Sequence, residues 1–98
     1  MLEIKKYQFE IESLCRELSL ERLYLIGSAT RNDFTLASDV DVLVTFDGND
    51  SLFDRYFTLK ERLEAIFERQ VDVIEERAIR NPYFKASIEK DRVKIYEK

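Results

Sequence analysis

Ser38-Asp39-Val40-Asp41-Val42-Leu43-Val44 is an apolar, β-branched run interrupted by two carboxylates spaced two apart. Such a run favours a strand, and Asp is depleted in strands, so the pair calls for a reason. Side chains alternate faces along a strand, which points Asp39 and Asp41 the same way with Cα atoms roughly 6.5 Å apart. One reading is a solvent-facing pair on an antiparallel strand. Against it, Val40, Val42, Leu43, Val44 and Phe46 describe a strand buried on both faces for much of its length. Two like charges held together at a buried sheet end repel one another, and a cation between them relieves the repulsion.

Working outward, Gly27-Ser28 precedes Asp39 by ten intervening residues and directly follows Leu23-Tyr24-Leu25-Ile26, a short apolar run that reads as a buried strand. Upstream, Ile4, Tyr7, Ile11, Leu14, Cys15 and Leu18 recur at three- and four-residue spacing and predict an amphipathic helix over about residues 2–19. Residues 32–38 read as a loop. Downstream of the strand at 40–46, Asp47-Gly48-Asn49-Asp50 is a turn, with Asp50 or Ser51 available to cap a helix over about 51–69. Val71-Asp72-Val73-Ile74 predicts a third strand. Asn81-Pro82 suits an N-cap and first helical position, opening a short helix with Tyr83, Phe84 and Ile88. Val93 to Tyr96 alternates as either a short edge strand or a tail.

The expected fold is therefore α+β, a two-layer arrangement with a small mixed sheet and helices packed mainly on one face. At 98 residues the chain reads as one domain, 1–98. The site is expected on the opposite face or at the strand ends.

Composition narrows the chemistry. The chain has no histidine, which removes Ser-His-Asp and Cys-His catalysis and disfavours imidazole metal sites. One cysteine, Cys15, cannot form an internal disulfide, and a reducing cytoplasm is the simplest home. No apolar run approaches the roughly 18 residues of a membrane span, and Met1 to Lys6 lacks the apolar stretch of a signal peptide, so no membrane association is expected. The net charge of −4 argues against broad electrostatic capture of nucleic acid, yet admits a nucleotide whose charge is carried by metal ions. Catalysis, if present, runs on carboxylates, cations, hydroxyls and backbone amides.

Asp72 is a third lone carboxylate in an apolar strand. By itself it reads as an exposed residue near a strand start; beside Asp39 and Asp41 it reads as a further ligand or base. Oxygen donors without nitrogen or sulfur select Mg²⁺, with Mn²⁺ as substitute. Two such ions can clamp the attacking and leaving oxygens of an in-line displacement, which makes the chain a candidate for phosphoryl transfer. Gly27 lets backbone approach a ligand closely. Ser28 reads either as a plain turn cap or as the cap of a short helix whose amides point at a phosphate. Arg31 is by default an exposed loop arginine, and alternatively a phosphate ligand.

Gly27-Ser28, the ten-residue interval, Asp39-Val40-Asp41 and the later Val71-Asp72-Val73 together resemble the signature of the DNA polymerase β-like nucleotidyltransferase superfamily. The short chain resembles in particular the minimal nucleotidyltransferase (MNT) proteins, the antitoxin halves of HEPN/MNT toxin–antitoxin pairs. The resemblance implies Mg²⁺-dependent transfer of AMP from ATP to a hydroxyl, a tyrosine of the partner HEPN toxin in members that act as antitoxins. It implies that Asp39 and Asp41 bind both metals, that Asp72 helps bind one and activates the acceptor, and that Gly27 and Ser28 cradle the triphosphate. The chain departs from the usual Gly-Ser-x-Ala-Arg-Gly at Thr30 and Asn32. Asn32 is expected to keep the turn through a positive φ, and Thr30 to crowd the packing beneath the loop.

Most aromatic residues fall on helix stripes and read as core, as does Cys15. Tyr56 and Phe57 are adjacent on a helix, so one must face away from the core. Beside the enzyme stands a binding-module reading, in which the chain masks a toxin by direct contact. Transfer to a small molecule is weaker, because antibiotic nucleotidyltransferases usually carry a second domain, and a polymerase role is weaker again.

Overall fold

The computed structural model describes residues 2–98. The expected first helix divides in two: a 3₁₀ turn at Ile4–Tyr7 and helix α1 at Gln8–Glu17. Ile4 and Tyr7 are three apart, the repeat of the tighter turn, whereas Ile11, Leu14 and Cys15 form the buried stripe of α1. Ser19, at φ 55°, reverses the chain so that strand β1 begins earlier than expected and runs Leu20–Ile26. A 3₁₀ turn, Gly27–Thr30, and a loop lead to β2, Val40–Phe46. Helix α2, Leu52–Phe67, crosses to β3, Val71–Glu75; a short turn at Glu76–Ala78 precedes α3, Pro82–Lys90, and β4 runs Val93–Glu97.

The sheet order is β3-β2-β1-β4, with β1 antiparallel to both β2 and β4, and β2 parallel to β3. The sheet is mixed, as expected, and the C-terminal run is an edge strand rather than a tail. Alternation divides its residues between two faces. Leu23, Leu25, Val40, Val42, Val44, Val71, Val73 and Ile95 pack under α1 and α2 with Ile11, Leu14, Cys15, Leu59 and Leu63. The other face carries Ile26 and Leu43, against which α3 sets Ile88. Two helices thus cover one face and α3 lies across the other. Among the described residues no helix is long and apolar enough to cross a membrane.

Neither Asp50 nor Ser51 caps α2; Ser51 sits at φ 52° and makes no side-chain cap bond. Arg55, in the first turn of α2, braces this end through carbonyls instead. Its guanidinium donates to the carbonyls of Leu18, Ser19, Asp47 and Asp50 and lies 4.9 Å from the Phe46 ring, tying the end of α1 to the turn after β2. The expected cap of α3 is present: Asn81 Oδ1 accepts from the amides of Tyr83 (2.9 Å) and Phe84 (3.2 Å). Tyr56 turns inward and donates to the Val73 carbonyl, leaving Phe57 on the surface against Phe53.

Candidate active site

The register brings the acids to one rung. Ile26 of β1 pairs with Asp41 of β2, and Asp41 with Asp72 of β3. Because β2 and β3 are parallel and in register, the two carboxylates point to the same face, away from α1 and α2. Their proximity has an electrostatic consequence. Asp41 is pushed up to about 6, first by burial, then by a hydrogen bond with Asp72 and by the charges of Asp72 and Asp39. Asp39 stands exposed just before β2. The segment that delivers it is braced by Arg69, which donates to the carbonyls of Thr35 and Ser38 and stacks on Phe34, while the Val40 amide donates to the Gln70 carbonyl.

Gly27 closes the other side of the pair. It adopts φ +71°, and a Cβ there would fall 2.6 Å from Asp41 Oδ2. Only glycine therefore lets the turn lie against the carboxylate. Ser28 sits inside this 3₁₀ turn rather than capping it, since the N-cap position is Ile26 with no side-chain cap bond. Two expectations about the loop change here. Asn32 is not among the positive-φ residues, so the left-handed step belongs to Gly27. Thr30 does not crowd the loop; its hydroxyl donates to the Gly27 carbonyl at 2.7 Å and fastens the turn.

A cleft of about 490 Å³ opens between this rung and α3. Gly27, Asp41 and Asp72 lie on its sheet side, with Ile26 and Ile74 around them. Phe84, Ser87, Ile88 and Asp91 of α3 and its C-cap form the opposite wall. Arg31 stands at one end, half exposed, with Nε 3.4 Å from Asp33 and Nη1 3.6 Å from Asp91. Asp39 and Ser28 border the site without lining the cleft. The α3 wall was not foreseen: Phe84 and Ile88 read as a core stripe, and their i,i+4 spacing fits either role.

The donor set is suited to a hard cation. Among the described residues no three carboxylate, thiol or imidazole groups are gathered closely enough to hold a metal by themselves. Mg²⁺ does not require one; it is typically held by one or two carboxylates and completes its shell with phosphate oxygens and water. A paired Asp41 and Asp72, oxygen-only donors and a glycine cradle beside them fit that pattern.

The profile of the nucleotidyltransferase domain family matches residues 10–95. The chain belongs to that family. A Methanocaldococcus jannaschii relative provisionally named a protein adenylyltransferase is 40% identical over 77 residues, spanning 78% of this chain and 77% of its own. A solved structure provisionally named a minimal nucleotidyltransferase superposes with TM-score 0.76 at 24% identity, covering 94% of this chain and 95% of the other. A toxin–antitoxin structure with AMP-PNP superposes at 0.72 and 20% identity, covering 93% and 73%. A tri-AMPylated Shewanella oneidensis HEPN toxin in complex with its MNT antitoxin aligns at 0.68 and 18%, covering 98% and 74%. These structures share the fold of the MNT domain.

Proposed function

We propose that this nucleotidyltransferase moves AMP from ATP, with Mg²⁺ or Mn²⁺, to a tyrosine hydroxyl of a partner HEPN toxin and so acts as an antitoxin, residues 1–98 forming one minimal catalytic domain. The observation that carries the reading is the Asp41–Asp72 rung pressed against Gly27 at the floor of an open cleft. The names of the adenylyltransferase relative and of the AMPylated toxin complex support the choice of group and acceptor.

In this reading Asp39 and Asp41 would hold the metal ions, with Asp72 helping to hold one. Bound metal supplies charge neutralisation for the phosphates and for the leaving pyrophosphate. The amides of the Gly27–Thr30 turn approach the triphosphate, which the absence of a Cβ at Gly27 permits. Arg31 exchanges its loose, solvent-screened contacts with Asp33 and Asp91 for a phosphate oxygen. Asp72, at the exposed edge of the rung, accepts the proton of the acceptor hydroxyl. The oxygen–phosphorus bond forms as the α–β bridge bond breaks, releasing pyrophosphate. The chain's own contribution is positioning and charge placement rather than a covalent intermediate.

The test is to mix the purified chain, ATP and Mg²⁺ with the protein encoded beside it and measure intact mass. The expected product gains AMP-sized increments, which vanish with Asp39→Asn or Asp41→Asn although the complex still forms. Neutralisation of the toxin that persists undiminished in those variants would support masking by direct contact and overturn the proposal.

A further inference from the structure

The sheet face opposite α1 and α2 is arranged in rows. The first row is Ile26, Asp41 and Asp72; the next, one pleat along, is Tyr24, Leu43 and Ile74. Beyond these, Thr45 donates to Glu76 at 2.8 Å, and Glu76 also receives Arg22 at 3.2 Å. That last row is a closed polar network with its partners satisfied. The open apolar surface near the acids is therefore bounded, and it is the part α3 faces.

α3 sets the direction. Its start follows β3 through the Glu76–Ala78 turn, and its far end delivers Asp91 to within 3.6 Å of Arg31, beside the Gly27 turn. Phe84 lies seven residues before Asp91, roughly 10 Å along a helix. The cleft thus has a charged end at Arg31 and Asp91, where the nucleotide-transfer reading puts phosphate, and Phe84 on its wall farther along α3. Phe84 is 46% exposed there, whereas its neighbour Tyr83 is 85% exposed and takes no part in the cleft wall.

We propose that Phe84 is the stacking platform for the nucleobase, with Ile74 and Ile88 beside it and the Ser87 hydroxyl as the nearby polar group; this rests on the nucleotide-transfer reading. A half-exposed aromatic ring on the wall of a cleft that also holds Arg31 matches a planar ligand with an anionic tail. Ser87 is the single uncharged polar side chain on the cleft wall, so recognition depends chiefly on stacking, and purines bind more tightly than pyrimidines because more ring overlaps.

The experiment measures equilibrium binding without any acceptor, with Mg²⁺ present, of a non-hydrolysable ATP analogue and, separately, inorganic tripolyphosphate. Phe84→Ala is expected to weaken the analogue about 5- to 100-fold and to leave tripolyphosphate unchanged, and Phe84→Trp to restore the analogue. Equal binding of the analogue by the native chain and Phe84→Ala overturns the assignment; if that variant then slows only transfer to the acceptor, Phe84 faces the acceptor instead. A native chain that binds tripolyphosphate as tightly as the analogue also overturns it. A native chain that binds neither ligand overturns the nucleotide-transfer reading itself.

Discussion

Replacing Asp41 by Asn is predicted to stabilise the metal-free protein while abolishing its proposed chemistry. Asp41 titrates near 6 because burial and the neighbouring Asp72 and Asp39 disfavour its charge. A carboxyl whose folded pKa is raised contributes stability below the unfolded value of about 4 and loses it as pH rises through about 6. A shift of about 2 units corresponds to about 3 kcal/mol, and the opening of the site to solvent screens this to about 1 kcal/mol. For a chain of this size that is a melting shift of about 4–8 °C. The assay is thermal unfolding followed by circular dichroism in chelator from pH 4 to pH 8. Asp47, Glu64 and Glu76 are held below the usual carboxylate range and stabilise both chains as pH rises from 4, so the Asp41 effect is read as the difference: the native chain should lose melting temperature relative to Asp41→Asn as pH rises through about 6, and the variant should melt higher at pH 8. Excess Mg²⁺ with nucleotide should stabilise the native chain and leave the variant almost unmoved. A variant that melts at or below the native chain at pH 8 in chelator would refute the claim that the rung stores repulsion.

Gly27→Ala forces an L-residue into φ +71° and drives a Cβ onto Asp41, so we expect about 1–2 kcal/mol of destabilisation in urea titration and at least tenfold slower transfer that added metal does not rescue. Arg55→Ala strips donors from four carbonyls and should cost about 2 kcal/mol by thermal melting, with Arg55→Lys recovering less than half because one ammonium cannot span the same acceptors. The Cys15 thiol is buried and pushed up to about 12, chiefly by burial, so a thiol reagent at pH 8 should leave it unmodified in the native chain and label it fully in denaturant.

The elements that were legible from sequence carry their signal locally. Val40 to Phe46 is an apolar, β-branched run that needs no partner to be read as a strand, and Asn81-Pro82 announces its helix by capping chemistry. The candidate site was legible for the same reason: Asp41 and Asp72 are out of character in apolar strands, and the register sets them side by side. What escaped depends on tertiary placement. The stripe of Phe84 and Ile88 is compatible with either sheet face, and only the strand order sends α3 across the face that bears the acids. The start of α2 misled because Ser51 takes a left-handed backbone and makes no side-chain cap bond, while Arg55 braces carbonyls from two distant segments. Thr30 looked like a poor substitute until its hydroxyl found the Gly27 carbonyl. Asp39 shows the same limit, since its spacing to Asp41 is visible but its position at the exposed mouth, outside the cleft wall, is not.

The most direct test of the central claim, that the Asp41–Asp72 rung grips a divalent ion together with nucleotide, is Mn²⁺ binding followed by electron paramagnetic resonance with a non-hydrolysable ATP analogue present. The native chain should take up Mn²⁺ beyond what the nucleotide alone binds, and Asp41→Asn and Asp72→Asn should each weaken that uptake at least tenfold. Uptake unchanged in both variants would contradict the account.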